Sequence, residues 1–219
     1  MIKTIYEDKD ILVVYKPIGL LSHRAVKSNL GDLLTELKQP NYHVITRLDA
    51  NTEGLVLLAK NAVAASILSK LGQTSGIAKK YRAIVVGYID KLEDVITAYL
   101  LKDSENSVVR LSSTPTLDAS EIKTKYTVLK EHKGFSLLEV ELITGKTHQI
   151  RAHLAHIGHP VLGDPLYGNK KMNQMMHEKT QLLLSYRIVF DIVDETNPFY
   201  YLNQENILVQ NDKITNYFK

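Results

Sequence analysis

The sequence predicts an α+β fold with a mixed, mostly antiparallel central sheet that is flanked by short helices and loops. Apolar, β-branched segments of strand length recur along the chain, and only a few segments have helical periodicity. Grouped strands with few intervening helices favour this class over a regular βαβ alternation. The 219 residues are 44% hydrophobic, which is enough for a sizeable core. We expect a single domain over residues 1–219.

The predicted strands are apolar runs bounded by turn residues. In chain order they are Ile11–Lys16, Gly54–Lys60, Lys80–Gly87, 122–129, Ser136–Ile143 and Leu182–Phe190. The first of them stops at Pro17 and Gly19. The polar region Leu101–Lys130 is interpreted as hairpins, because its segment IKTKYTVL alternates like a half-buried strand.

Three helices are predicted from capping residues and apolar spacing. The segment NLGDLLTELK follows Ser28 as its cap, and AVAASILSKLG follows Asn61 and ends near Gly72. In the second helix, the apolar residues with helical spacing are Val63, Ile67, Leu68 and Leu71.

The third helix starts near Thr147 in KTHQIRAHLAHIGHP and ends at Gly158. Its predicted buried stripe is Ile150, Leu154 and Ile157. Arg151 lies on one margin of this stripe, from which its guanidinium can reach a half-buried partner.

Composition restricts the possible functions. The chain contains no cysteine, which excludes disulfides, thiolate metal sites and a cysteine nucleophile. No apolar stretch approaches membrane-spanning length, and the N-terminus lacks a signal core, so we expect a cytoplasmic protein. Residues 190–219 carry five acidic and two basic side chains, which leaves residues 1–189 with 25 basic and 19 acidic ones. This asymmetry is compatible both with a polyanionic partner such as RNA and with a mildly basic surface.

Two clusters of polar residues suggest chemistry. Four histidines, His148, His153, His156 and His159, fall within twelve residues, but none are four apart and no H-E-x-x-H pattern is present. Hydrogen-bonded or solvated histidines are therefore the simpler interpretation, and a His-dependent metal hydrolase stays an alternative.

The second cluster stands in ITRLDANTEGLVLLAK, where Arg47 and Asp49 precede an apolar run. Residues two apart in a strand point to the same side, so the two charges are expected to project together. The pattern fits an ordinary exposed ion pair as well as a functional pair.

Several motifs taken together resemble the RluA-type pseudouridine synthases. They are ILVVYKPIGLLSHR, RLDANTEGLVLLAK, KKYRAIVVG and TGKTHQIRAHLAHIGHPVLGDPLYG, which occur in this order over nearly the whole chain. The resemblance implies isomerisation of uridine in RNA to pseudouridine, without metal or organic cofactor. It departs from the family pattern at Thr46, where HRLD is usual, and at Glu53, where TSGL is usual. The family's frequent N-terminal S4-type RNA-binding domain is not expected here.

The resemblance also implies site residues. Asp49 matches the catalytic aspartate, Tyr81 the tyrosine that packs against the target base, and Arg151 the basic residue that pairs with the catalytic carboxylate. Arg47 matches an arginine that can enter the RNA helix where the base has left. These types suit the reaction, because a carboxylate can act as nucleophile or base, a guanidinium keeps it ionised beside a base, and an aromatic ring stacks on a flipped base.

The remaining expectations concern binding. We expect Arg47 to face RNA. For His23, Arg24, Lys146 and His148, an RNA contact and a plain solvated surface position fit the sequence equally well. We expect no metal site. The partner is an RNA stem-loop, ribosomal or transfer RNA, bound by a monomer without an obligate protein partner. A non-catalytic RNA-binding module is the other alternative, which the joint presence of Asp49, Tyr81 and Arg151 disfavours.

Overall fold

A computed structural model describes residues 1–24, 28–103, 108–210 and 213–218. The chain divides into two compact units. Unit 1 comprises Met1–Lys79 and Ser185–Asp212, and unit 2 comprises Lys80–Leu184 and Lys213–Lys219. Each unit therefore combines an early or central segment with a later one.

Unit 1 is built on strands that pair in antiparallel fashion. Its elements are β1 (Lys3–Glu7), β2 (Ile11–Lys16), α1 (Leu33–Leu37), β3 (His43–Val44), β4 (Glu53–Ala59), α2 (Ala62–Gln73), a 3₁₀ turn (Tyr200–Leu202) and β11 (Asn206–Leu208). Strand β2 pairs with both β1 and β4, and β3 also pairs with β4. All seven residues of β4 are buried. This agrees with a strand that is covered on both faces, as its continuous apolar run predicts.

Two strands cross the division in the chain, β5 (Ile77–Val86) and β10 (Leu183–Phe190). The unit 1 part of β10 pairs with β11, antiparallel. Its backbone also lies against the start of β4. A Cβ added to Gly54 would stand 2.2 Å from the carbonyl oxygen and 2.7 Å from the amide nitrogen of Ser185, and Gly54 has a φ of +120°. Only glycine fits there, because both the space and the backbone conformation exclude a side chain.

Unit 2 contains an antiparallel array in the order β5, β9, β8, β6, β7. Its elements besides β5 and β10 are β6 (Glu93–Asp103), β7 (Val108–Ser112), β8 (Ser120–His132), β9 (Phe135–Leu142), α3 (Gln149–His156), α4 (Lys170–Met175) and α5 (Lys213–Asn216). The hairpin interpretation of the polar region 101–130 is confirmed, since β6 pairs with β7 and with β8.

The predicted fold class is confirmed. Strands predominate over a few short helices, and the pairings within each unit are mostly antiparallel. All six predicted strands are present, with ends shifted by up to three residues. None of the helices in the described part of the chain is both long and apolar enough to cross a lipid bilayer.

The helix predictions were right about position and only partly right about ends. Asn61 caps α2 as expected, since its Oδ1 accepts from the amide of Ala64 at 2.8 Å. For α1, the Ser28 cap was wrong. Asp32 is the cap, and its carboxylate accepts from the amides of Leu34 and Thr35. A carboxylate also suits the positive end of a helix better than a hydroxyl, which explains the later start.

Candidate active site

Asp49 lies in unit 1, in the irregular connection 45–52 between β3 and β4. It is half-buried, whereas Arg47 two residues earlier is exposed. The expectation that strand alternation places the two charges on one side was therefore wrong, because this segment is not a strand. The different exposure of the two side chains is compatible with different roles for them.

The backbone on both sides of Asp49 is held by the loop that follows β2. The hydroxyl of Ser22 donates to the carbonyl of Leu48 at 2.9 Å and accepts from the amide of Leu48 at 2.8 Å. On the other side, the carbonyl of Ala50 accepts from the amide of Gly19 at 2.9 Å. The connection that carries Asp49 is thus fixed immediately before and immediately after this residue.

Lys16 places a buried cation beside this connection. Its side chain is 0% exposed, and its Nζ donates to the carbonyls of Pro17, Leu20 and Ala50 at 3.0, 2.7 and 3.3 Å. Burial lowers the pKa of Lys16 to about 8, against the opposing effect of the Asp49 and Glu53 charges. At neutral pH the amine remains protonated, so a buried positive charge lies beside the connection that carries Asp49.

The two departures from the family pattern are both built into this region. The hydroxyl of Thr46 accepts from the amide of Leu57 at 2.8 Å, which ties the connection to β4. Glu53 is nearly buried at the start of β4, and its Oε2 accepts from the hydroxyl of Tyr15 at 2.7 Å. Each residue therefore has a structural role of its own.

Tyr81 lies on β5 in unit 2, opposite Val140 of β9. Only 4% of it is exposed. A side chain that is this closely surrounded has few rotamers available. Its ring is thus a rigid element, which is the property that a stacking platform needs.

Arg151 on α3 forms a buried ion pair with Asp164. Its Nε donates to Oδ2 at 2.7 Å and its Nη2 to Oδ1 at 2.9 Å, and both side chains are less than 5% exposed. Burial by itself would raise the pKa of Asp164, but the Arg151 hydrogen bonds and charge hold that pKa below its usual range. The sequence predicted a half-buried partner for Arg151. The observed partner, Asp164, is fully buried instead. Pairing of Arg151 with Asp49 stays a prediction.

Tyr167 packs beside this pair. The Arg151 guanidinium lies 5.2 Å from the centre of the Tyr167 ring, a distance typical of a cation–π contact. The Tyr167 hydroxyl accepts from the amide of Val109 at 2.9 Å and lies 3.0 Å from Nδ1 of His148. Asp164 and Tyr167 together fix the guanidinium in one position and orientation.

His148 is the N-cap residue of α3. It has the left-handed conformation, with φ 56° and ψ 13°, and makes no capping hydrogen bond through its side chain. The predicted helix end is confirmed at Gly158, whose φ is 89°. Ile150 and Leu154 of the predicted stripe are buried, whereas Ile157 is only half-buried. The other RNA-facing candidates, His23, Arg24, Lys146 and Arg47, are exposed.

Each of the four clustered histidines contacts a different residue. His153 is fully buried, and its Nδ1 lies 2.7 Å from the hydroxyl of Thr124. His156 contacts Ser113, and His159 contacts the carbonyl of Val86. Within residues 1–24, 28–103, 108–210 and 213–218, no three His, Asp or Glu side chains are grouped so that they could hold a metal ion.

His153 makes the stability of the protein depend on pH. Burial, together with the nearby His156, lowers the pKa of His153 to about 4 from 6.5. Between these values the unfolded chain binds a proton that the native one does not, so the free energy of unfolding should decrease as pH falls from 6.5 to 4, by on the order of 2–3 kcal/mol. Denaturant titrations at several pH values measure this.

Two variants isolate the effect. His153→Gln keeps a polar side chain but cannot titrate, so its pH dependence over this interval should be flatter than that of the wild type. His132→Gln, at an exposed histidine, should follow the wild-type slope. Equal slopes for all three proteins would show that His153 is not the titrating group.

A family model described as RNA pseudouridylate synthase matches residues 10–156, more than half of the chain. The chain belongs to this family. The relatives include an uncharacterized RNA pseudouridine synthase, MG209 homolog, of Mycoplasma pneumoniae, 37% identical over 85% of this chain and 61% of the relative. The ribosomal large subunit pseudouridine synthase D of Pseudomonas aeruginosa is 34% identical over 77% of this chain and 54% of the relative. The chain spans about three fifths or less of the length of these curated relatives.

The fold of this family member agrees with solved structures. Human RNA Pseudouridylate Synthase Domain Containing 4 superposes with a TM-score of 0.74 at 22% identity, covering 96% of this chain and 88% of that chain. Human RNA Pseudouridylate Synthase Domain Containing 1 gives a TM-score of 0.73 at 21% identity, covering 99% and 94%. The family expectation from the sequence motifs is therefore confirmed, and so is its fold.

The sequence did not assign a role to four residues that support the candidate residues within their own units. Lys16 and Ser22 both stand in the recognised motif ILVVYKPIGLLSHR, but neither was given a role. Asp164 and Tyr167 both belong to the segment GDPLYG, which was recognised as a motif but was given no role. The available signal for Lys16 was its position as a charged residue at the end of an apolar strand. A lysine in such a place is buried only if it has partners, so its burial would have pointed to a specific role.

Proposed function

We propose that this protein isomerises specific uridines in structured RNA to pseudouridine, with Asp49 as the catalytic carboxylate. The reaction breaks the bond between C1′ and N1, turns the uracil, and joins C1′ to C5, while the C5 hydrogen is lost and N1 gains one. The observation that carries the proposal is the setting of Asp49, a half-buried carboxylate on a backbone held from both sides and beside the buried Lys16.

Family membership supports the same assignment. The matched residues 10–156 include Asp49, Tyr81 and Arg151, and they draw on both units. We therefore propose that the two units act as one catalytic domain. Because the chain spans only part of the length of its curated relatives, its activity and substrate are inferred from these residues and are to be tested directly.

Each residue has a chemical role in the proposal. Asp49 acts as nucleophile or base, and the buried Lys16 ammonium lies beside the connection that carries it. Tyr81 stacks on the flipped uracil and offsets part of the cost of unstacking. Arg151, which Asp164 and Tyr167 hold in place, supplies positive charge to the reacting carboxylate. The mechanism uses no cofactor, and the monomeric, cytoplasmic enzyme expected from the sequence stays a prediction.

We propose that the RNA contacts come first from the exposed basic side chains. These are Arg47, Arg24, His23 and Lys146. His148 is half-buried and bonded to Tyr167, so we propose a smaller contact for it. The substrate to test first is ribosomal RNA, since relatives bear the name ribosomal large subunit pseudouridine synthase D, and transfer RNA is second.

The experiment is a comparison of pseudouridine positions in RNA from cells with and without the gene. It is followed by reaction of the purified protein with transcripts that contain the missing sites. We expect at least one position to disappear from the cells and to be restored in the transcript, also after exhaustive chelation with EDTA. Tight RNA binding without isomerisation would favour a non-catalytic RNA-binding module. Activity restored only by one transition metal would favour metal chemistry.

Arg47 is expected to matter most on structured RNA. If its guanidinium occupies the gap that the flipped base leaves, Arg47→Ala should slow reaction on a stem-loop about tenfold or more beyond its effect on a short unstructured RNA, because flipping a stacked base costs a few kcal/mol. Arg47→Lys should restore the rate only in part, since an ammonium lacks the flat guanidinium that stacks. Initial rates on the two RNAs measure this.

Arg110→Ala is the matched control, because Arg110 is also an exposed arginine. It should change neither rate by more than about twofold, as is usual for a surface substitution. If Arg47→Ala slowed both RNAs equally, Arg47 would be a phosphate contact or a structural residue and not a wedge.

A further inference from the structure

Ser22 is a buried serine in the loop that follows β2, and only 4% of it is exposed. Its hydroxyl is bonded in both directions to a single residue. It accepts from the Leu48 amide at 2.8 Å and donates to the Leu48 carbonyl at 2.9 Å. One side chain therefore satisfies both backbone groups of the residue that directly precedes Asp49.

The same loop also holds the residue after Asp49. The Ala50 carbonyl accepts from the Gly19 amide at 2.9 Å and from Lys16 Nζ at 3.3 Å. The loop is anchored in turn to the start of α1, because the Leu21 amide donates to the Gly31 carbonyl and the Leu33 amide donates to the Leu21 carbonyl. Ser22 thus tethers the connection that carries Asp49 to a loop that is itself bonded to the start of α1.

We infer that Ser22 is a positioning residue that sets where the Asp49 carboxylate stands. This inference rests on the proposed function of Asp49. The direction of the Asp49 side chain follows from the backbone between two fixed neighbours, Leu48 and Ala50. If the hydroxyl is removed, Leu48 loses two hydrogen bonds in a partly buried place, and the backbone must move to find others.

The effect on rate follows from geometry. Catalysis depends on the reacting atoms being held near their productive positions, and a displacement of about 1 Å can cost about 100-fold in rate. The variants leave the Asp49 carboxylate and the side chains proposed to contact RNA chemically unchanged, so RNA binding should persist. Loss of Ser22 should therefore lower kcat and leave KM nearly unchanged.

The experiment compares three variants under saturating and limiting RNA. Ser22→Ala removes the hydroxyl, and Ser22→Thr keeps it. Ser136→Ala is the matched control, because Ser136 is 0% exposed and also donates to a backbone carbonyl, that of Gly87 at 2.8 Å. It removes a similarly buried hydroxyl in unit 2, the unit that does not contain Asp49.

We expect Ser22→Ala to lower kcat about 10–100-fold with KM within about twofold, and Ser22→Thr to recover most of the loss. Ser136→Ala should keep kcat near the wild-type value, although the two alanine variants should lose similar thermal stability. The inference is overturned if the alanine variants lose kcat alike, if only KM changes, or if Ser22→Thr is as slow as Ser22→Ala.

Asp49→Asn in the same assay separates this inference from the proposed function. An inactive Asp49→Asn protein together with a fully active Ser22→Ala protein would remove only the role of Ser22. An active Asp49→Asn protein would remove the catalytic assignment of Asp49, and the role of Ser22 with it.

Discussion

Replacing Asp49 with asparagine is expected to lower pseudouridine formation by about 10⁴-fold or more, as for other single replacements of essential catalytic groups. The amide keeps the shape of the side chain but can act neither as nucleophile nor as base. RNA affinity should stay within a few-fold, because the exposed cations are untouched. Pseudouridine formed per unit time on the identified transcript measures the first quantity, and filter binding measures the second.

Asp118→Asn is a suitable control for this replacement, since Asp118 is exposed in a loop of unit 2. It removes one negative charge without changing the site, and it should leave the rate within about twofold, as surface substitutions usually do. A substantial rate for Asp49→Asn would show that another group performs the chemistry.

The second large effect is expected at the Arg151–Asp164 pair. Removing one member of a buried ion pair leaves an uncompensated charge, so Asp164→Ala should lower the free energy of unfolding by about 3–5 kcal/mol. Both side chains are less than 5% exposed, so the remaining guanidinium cannot simply be solvated. Denaturant titration at pH 7 measures the loss.

The double variant Arg151→Met/Asp164→Asn separates stability from catalysis. It removes both charges, and the asparagine oxygen can still accept from the amides of Leu166 and Tyr167, as Asp164 Oδ1 does. We expect it to recover most of the stability that Asp164→Ala loses while remaining deficient in pseudouridine formation. A stable and fully active double variant would show that Arg151 has only a structural role.

The sheet could largely be predicted because its signals are local. Strands β2 and β4 are continuous apolar runs, and β8 alternates with period two. Each strand can therefore be recognised from a stretch of a few residues. Strand β1 was missed because four of its five residues are exposed, so it has no apolar pattern. The helix cap at Asp32 was missed because Ser28 offered the same type of signal four residues earlier.

The site was predicted only in part because its supporting contacts are not local. The motifs point to Asp49, Tyr81 and Arg151, whose catalytic roles stay predictions. They could not give the bond between Ser22 and Leu48, which joins residues 26 apart, or the carboxylate of Asp164, which is 13 residues beyond Arg151. Such pairs depend on how loops approach each other, and neither spacing nor propensity encodes that.

Gly54 has a consequence for how the chain finds its native alignment. If β4 slid by one residue past the Ser185 backbone, Glu53 or Leu55 would bring a Cβ to a place where Gly54 leaves 2.2 Å to the nearest atom. A slip by one residue would also turn every β4 side chain to the opposite face. Because only glycine fits beside the Ser185 backbone, Gly54 restricts β4 to one register. The position of Asp49, five residues before Gly54, therefore depends on this register. An insertion or deletion between these two residues would displace the Asp49 carboxylate even if the sheet formed normally.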